Sequence, residues 1–239
     1  MKEVDLLFFG AHPDDVELGA GATIAHAVHR GLSVGMIDLT RGELGTRGTA
    51  ADRKREAQDA ARILGASFRD QLDFGDGELR HGREEELEVI EVIRRSRARL
   101  LFAPYPDDRH PDHTRTGQLV TDAWFYAGLR RLKTRHAAHR PQAVVYYIQN
   151  YQFTPSFVVD TSAHWKTKME AIAAHKSQFH DPKSKEPRTF ISEPRFLQMI
   201  DARGRHFGAL IGTDYGEAYV TKQPPRVDDL LAAYGGREI

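Results

Sequence analysis

Ala11-His12-Pro13-Asp14-Asp15-Val16-Glu17-Leu18-Gly19 follows an apolar run, Val4 to Phe9, and precedes Gly-rich, then helical sequence. The run reads as a buried strand. Open α/β sheets place their chemistry beyond the C-terminal ends of such strands. His12, Asp14 and Asp15 stand there, an imidazole and two carboxylates in one short turn. Much later, after a second apolar run from Leu100 to Pro104, Pro106-Asp107-Asp108-Arg109-His110-Pro111-Asp112-His113 repeats the pattern. Two strand ends, each carrying His and Asp, make a metal site the leading expectation.

Outward from these stretches the chain alternates. Val4–Phe9 is the first strand. Glu17–Arg30 is a helix, because Leu18, Ala22, Ala25 and Val28 recur at helical spacing and Gly31 is a natural stop. Ser33–Leu39 is a strand that runs into the polar, Gly-rich loop Thr40–Thr49. A helix over Ala51–Leu64 sets Ala57, Ala60, Ala61 and Leu64 on one face. Phe68–Phe74 is a short strand before the turn Gly75-Asp76-Gly77. A helix over Glu84–Arg97, the strand Leu100–Pro104 and a helix over Asp112–Leu132 follow. This order implies right-handed crossovers and a Rossmann-like α/β fold, a mostly parallel sheet with helices on both faces. Lys133–Pro141 reads as a surface connection. Strands Ala143–Ile148 and Ser156–Asp160 come next, then helices Ala163–Phe179 and Phe190–Ile211, the latter with a break at Pro194. With the polar loop His180–Arg188, these later elements form a small C-terminal helical/strand extension. The tail Lys222–Ile239 carries one helical stretch near Val227–Tyr234. The expected organisation is a single domain over 1–239: a core 1–133, a C-terminal part 141–221 completing the fold, and a tail 222–239.

The 239 residues suit one large α/β domain. Lys+Arg and Asp+Glu both total 34, so no basic excess points to nucleic acid or to an anionic membrane. No apolar run is long enough to span a bilayer. The N-terminus does not resemble a signal peptide, and the expected compartment is the cytoplasm. There are no cysteines, which excludes disulfides, thiolate ligands and Cys nucleophiles. Any metal must therefore use His and carboxylate.

Zinc hydrolases commonly use three such ligands and keep one position open. His12 and Asp15 flank a strand-to-helix turn and can face one point, and His113 can close the triad from a neighbouring strand end. Asp14 then remains free to take a proton. His110 is free to act on the other side of the reacting carbonyl, with Asp112 setting its protonation and orientation. Taken alone, His-Pro-Asp is also a turn with Asp as a helix N-cap. It is the pairing of two such stretches that favours a metal. The other nine histidines, at 26, 29, 81, 136, 139, 164, 175, 180 and 206, lack such company and read as surface or core residues.

His12-Pro13-Asp14-Asp15 with His110-Pro111-Asp112-His113 resembles the PIG-L/LmbE-like zinc N-deacetylases. The resemblance extends over Asp38–Thr49, Arg53, Phe102-Ala103-Pro104, His175-Lys176-Ser177-Gln178-Phe179, Arg205-His206-Phe207-Gly208 and Tyr215-Gly216-Glu217. These later blocks look most like the bacillithiol-pathway N-acetylglucosaminyl-malate deacetylases. The resemblance implies one Zn²⁺ per chain, with Fe²⁺ or another divalent metal as alternatives, held by His12, Asp15 and His113. It implies Asp14 as general base. It implies His110 as the group that stabilises the oxyanion in protonated form or protonates the leaving amine, with Asp112 as its partner. Glu43, Arg53 and Asp76 match positions used around the sugar. The implied partner is a small N-acetylglucosamine conjugate, with homo-oligomerisation by analogy.

Weighed singly, Arg53 offers a planar fork suited to a carboxylate such as malate's, or is a solvated helix residue. Arg109 is a second candidate of the same kind. Arg41 and Glu43 lie at a strand's C-terminal end, a good position for substrate, or form a loop ion pair that contributes little. Asp76, between two glycines, is most simply a turn residue. Tyr151 and Phe153 either wall the sugar or pack into the core. One rival is a deacetylase of another N-acyl sugar such as a chitooligosaccharide. A nucleotide-binding module lacks its Gly-x-Gly-x-x-Gly after strand 1, and a closed structural zinc site lacks its usual thiolates.

Overall fold

The computed structural model describes residues 2–179 and 185–234. His180 and its neighbours to Ser184 therefore lie outside the described residues, as does the tail beyond 234.

Five strands run parallel: β1 (Leu6–Gly10), β2 (Val34–Asp38), β3 (Phe68–Gln71), β4 (Leu100–Pro104) and β5 (Ala143–Tyr147). The two later strands are β6 (Phe157–Asp160) and β7 (Gly216–Thr221). β7 pairs antiparallel with both β5 and β6, so the sheet order is β3-β2-β1-β4-β5-β7-β6. The helices are α1 (Asp15–His29), α2 (Ala50–Leu64), α3 (Arg83–Ser96), α4 (Pro111–Ala127), α5 (Trp165–Ala174), α6 (Pro194–Ile211) and α7 (Leu230–Tyr234).

The central strands are buried along their whole length, as LLFFG and VGMID are. That is what a sheet covered on both faces requires. On one face, Val89, Ile90 and Ile93 of α3 and Leu119, Val120 and Ala123 of α4 meet Leu7, Phe9 and Leu101. On the other, Ala20 and Ile24 of α1 and Ala60 and Leu64 of α2 meet Leu6, Phe8 and Phe102. α6 closes a smaller core in which Phe196 and Ile200 pack with Leu18, Ala22 and Trp165. None of the helices is long and apolar enough to cross a membrane, among the described residues.

The helical/strand extension joins the main sheet. β6 and β7 continue the same sheet, and β7 is a strand that the sequence pattern does not announce. Three expected helices are shorter. Asp112–Leu132 stops at Ala127 because the buried Arg94 guanidinium takes the carbonyls of Ala127, Leu129 and Leu132, which bends the chain away. Ala163–Phe179 stops at Ala174, where the next residue, His175, leaves helical conformation with φ −79° and ψ 61°. Phe190–Ile211 begins only at Pro194, which fills the first helical position, where a missing N–H costs nothing.

The chain runs β1–β2–β3 toward one edge and β4–β5 toward the other. β1 and β4 are neighbours, so the order reverses between them. A crevice opens at such a point beyond the strand ends, and both His/Asp stretches fall there.

Candidate active site and metal centre

His12 leaves the end of β1 and Asp15 opens α1. Between them, Asp14 holds φ 140° and ψ −23°, a conformation that a side-chain-bearing residue rarely adopts. Such backbone persists only when its surroundings over-determine it, and it concentrates at functional sites. At the end of β4, His110 is the N-cap of α4. Its Nδ1 accepts the Asp112 amide at 3.2 Å, and Pro111 takes the next position. That cap turns His113 inward on the first turn of α4.

Nδ1 of His12 lies 3.4 Å from Asp15 Oδ2, and Nε2 of His113 lies 3.2 Å from Asp15 Oδ1. Donor atoms of the three residues all fall within 4.8 Å of one another, and all three side chains are buried. Each imidazole has its other nitrogen against a carboxylate. His12 Nε2 is 3.1 Å from Asp76 Oδ1 and 3.4 Å from Asp112 Oδ2. His113 Nδ1 is 2.8 Å from Asp108 Oδ1. Metal-bound histidines are oriented in this way. Two imidazoles and one carboxylate with backing carboxylates fit a divalent cation that keeps an open position. A second group, His12, His110 and Asp112, also brings donors within 4.8 Å. There His12 Nε2 stands against the Asp76 and Asp112 carboxylates.

Asp14 is 5% exposed, and burial pushes its carboxyl up to about 6 although Arg53 opposes the shift. Burial alone would lower His113. Asp15 and Asp108 reverse that and draw it up to about 9 in the metal-free chain. Asp15 is held well below the usual carboxylate range: His113 and His12 outweigh its burial. His110 moves down, first through burial and then through the charges of His12 and His113.

The cavity beside this cluster has a volume of about 540 Å³. His12, Asp14, Asp15, His110 and His113 line its floor. Leu18, Phe190, Ile191, Phe196 and Ile200 give an apolar wall, and Arg109, Asn150 and Gln178 are polar. A separate cleft of about 410 Å³ at the β3 edge is lined by charged residues such as Arg41, Lys54 and Asp73, with no histidine.

Several expected residues make contacts that the sequence does not suggest. The Arg53 guanidinium borders the cavity, with two of its three nitrogens already engaged. It is 4% exposed, and its nitrogens donate to the carbonyls of Gly42 and Pro13, with Nη2 3.4 Å from Asp14. Asp76 borders the cavity as well as facing His12 and accepting the Leu44 amide. Glu43 accepts the amides of Asp76 and Arg41 and is not in the cavity wall. The Asp112 carboxylate turns to His12, the Gly77 amide and Arg115, and it is the Asp112 backbone that meets the His110 ring. Arg109 does reach the cavity, stacked 5.0 Å over the Phe190 ring. Phe153 packs on Tyr105 and Tyr151 is half exposed, and neither lines the cavity.

Sequence reasoning misses other residues. Asp108 lies within the second stretch but draws no role from it. Yet it accepts from the His110 and Asn150 amides and holds His113. His175, unremarkable among the remaining histidines, is fully buried 3.2 Å from Glu17 Oε1. Glu17 in turn meets Arg69, which is also paired with Asp38 at 2.7 Å. Asp108 had a signal, a carboxylate five residues before a ligand histidine. The others are joined only by the fold.

A family model described as GlcNAc-PI de-N-acetylase, PIG-L, matches residues 7–124. The diacetylchitobiose deacetylase of Thermococcus kodakarensis is 35% identical over 183 residues, which are 70% of this chain and 67% of that protein. The crystal structure of a conserved protein from Thermus thermophilus matches with a TM-score of 0.87 at 39% identity, over 95% of this chain and 98% of that one. The N,N'-diacetylchitobiose deacetylase from Pyrococcus horikoshii matches with a TM-score of 0.81 at 27% identity, over 93% and 84%.

Proposed function

The chain belongs to the GlcNAc-PI de-N-acetylase (PIG-L) family, and we propose that it is a zinc-dependent hydrolase that removes the N-acetyl group from an N-acetylglucosamine conjugate. The observation that carries this is the convergence of His12, Asp15 and His113 beside a free, buried Asp14. His12 Nδ1, Asp15 and His113 Nε2 would hold the cation. When bound, the cation supplies positive charge that polarises an amide carbonyl and acidifies water.

The protein's own groups do the rest. Asp14, with a carboxyl near 6, takes the proton of the attacking water at neutral pH. Arg53 fixes Asp14 in place. His110 spends its Nδ1 lone pair on the Asp112 amide, so its ring donates through Nε2 toward the developing oxyanion. Burial and the neighbouring His12 and His113 lower its pKa. As the C–N bond breaks, Asp14, handing back the proton it took, or His110 protonates the departing nitrogen, and the products are acetate and a free glucosamine amine.

The finer assignment, N-acetylglucosaminyl-malate, is supported by the later sequence blocks and by the one guanidinium that stacks at the rim, Arg109. A second assignment, a chitobiose-type disaccharide, is favoured by the relative at 35% identity. Acetate release from N-acetylglucosaminyl-malate, N,N'-diacetylchitobiose and free N-acetylglucosamine, with protein of measured zinc content, tests both. Asp14→Ala should keep the metal and lose most turnover, whereas His12→Ala or His113→Ala should lose the metal. Full activity in Asp14→Ala sinks the base assignment. No turnover of any of the three by fully metallated protein sinks the substrate class.

A further inference from the structure

The first turn of α1 is held from outside the helix. The Leu18 carbonyl accepts from Arg203 Nη2 at 2.8 Å and from Lys168 Nζ at 3.0 Å. Arg203 Nη1 donates to the Gln149 carbonyl at 2.7 Å, and the Gln149 side chain donates to the Asp15 carbonyl at 2.9 Å. One turn further on, the amides of Ala22 and Thr23 donate to the two oxygens of Glu217, at 3.2 and 2.7 Å. Glu217 is paired with Lys168 at 2.6 Å. Within an α-helix the Ala22 amide and the Leu18 carbonyl would serve each other. Here each engages side chains from α5, α6 or β7.

The local sequence permits this approach. A Cβ at Gly19 would sit 2.1 Å from the Tyr147 ring, and one at Gly21 would sit 3.2 Å from Lys168 Cγ. Lys168 and Glu217 are 2% and 4% exposed. A buried pair of this kind gives no stability advantage over apolar side chains of similar volume. What it provides here is directed hydrogen bonds to a helix backbone. Those bonds fall beside the turn that begins on the strained Asp14 and carries Asp15. Residues 149, 168, 203 and 217 also lie beyond the family match over 7–124, so the C-terminal half supplies the clamp.

We propose that Arg203, backed by the Lys168–Glu217 pair, is a positioning residue that sets the Asp15-bearing turn for metal binding. Its side chain borders the cavity, and it acts through the Leu18, Gln149 and Asp15 carbonyls that its fork and the Gln149 side chain engage. This rests on the metal-site assignment above.

The test is the Zn²⁺ dissociation constant, by chelator competition on the full chain, for wild type, Arg203→Met and Arg203→Lys. Val89→Ala, a core truncation in α3, serves as a control of comparable stability loss. Arg203→Met should weaken zinc by about 10–100-fold, the usual cost of losing an outer-sphere support. Arg203→Lys should fall between, because an ammonium lacks the fork that bridges two carbonyls. In zinc-saturated protein kcat should fall while KM holds. Gln149→Leu removes only the Asp15 arm and should weaken zinc in the same direction, which keeps the test open if Arg203→Met does not fold. Unchanged zinc affinity in folded Arg203→Met or Gln149→Leu overturns the proposal. So does an equal loss in Val89→Ala, and so does a rise in KM alone, which would make Arg203 a substrate contact. If wild type and His113→Ala are equally unable to bind zinc, the metal assignment itself fails.

Discussion

Arg53 Nη2 lies 3.4 Å from Asp14 Oδ1, and the same guanidinium closes on the Gly42 and Pro13 carbonyls at 2.9 Å each. It joins the loop after β2 to the turn after β1, with the candidate base between them. Removing it frees the loop and leaves the Asp14 carboxylate buried without its cation. Arg53→Ala should lower kcat by about 100-fold, the scale of an ångström-sized misplacement. Its effect should be the same for substrates with and without a carboxylate. Steady-state kinetics on N-acetylglucosaminyl-malate and N,N'-diacetylchitobiose decide this. A KM rise confined to the malate conjugate would return Arg53 to the substrate side.

Asp108 Oδ1 sits 2.8 Å from His113 Nδ1, while its carboxylate also accepts the Asn150 backbone and side-chain amides at 2.8 and 2.9 Å. An anionic partner raises the basicity of the ring and fixes its tautomer. Asp108→Asn keeps the size and an acceptor but removes the charge. It should fold normally and bind zinc about 10–100-fold more weakly. Equilibrium dialysis checks it, and wild-type affinity would mean that the Asp108 charge is idle.

What the sequence disclosed follows from which relationships are local. His12, Asp15 and His113 were legible because strand ends place them, and strands announce themselves by apolar runs such as Leu100–Pro104. The contacts of Arg53 were not legible because they are made to backbone carbonyls, which no side-chain pattern encodes. β7 escaped because Gly216 and the buried Glu217 break the apolar alternation, and Glu217 is buried only because Lys168 from α5 meets it. His175 looked ordinary until α5 ended and set it against Glu17. The site's core is thus written in short stretches, and its supports are written in contacts across the sheet.

The Glu17–Arg69–Asp38 cluster gives an acid-stability signature. Burial alone would raise the Glu17 carboxyl, but Arg69 and then His175 more than reverse this and hold it at about 2. A depressed carboxylate contributes stability that is complete above its unfolded pKa, near 4.5, and is lost as pH falls toward 2. The contribution is on the order of 3 kcal/mol at neutral pH. Asp38 shifts the other way, upward through burial, and partly offsets the slope. Urea midpoints of metal-free protein should therefore fall from pH 5 to pH 3, and Glu17→Gln should fall less steeply over that window. Parallel slopes would show that Glu17 carries no linked proton.

Arg109→Ala is the variant that separates the two proposed aglycones. Its guanidinium lies 5.0 Å over the Phe190 ring at the cavity rim, and it forms no salt bridge among the described residues. A planar cation stacked on an aromatic face is oriented before ligand arrives and remains able to fork a carboxylate. A charge-assisted hydrogen bond contributes about 1.5–3 kcal/mol, so losing one should raise KM by roughly 10–100-fold. Arg109→Ala should do this for N-acetylglucosaminyl-malate and leave free N-acetylglucosamine unaffected. Phe190→Leu should produce a weaker effect of the same sign, because it loosens the cation without removing it. If both substrates and N,N'-diacetylchitobiose respond alike to Arg109→Ala, the rim recognises sugar rather than carboxylate, and the disaccharide assignment gains at the expense of the malate one.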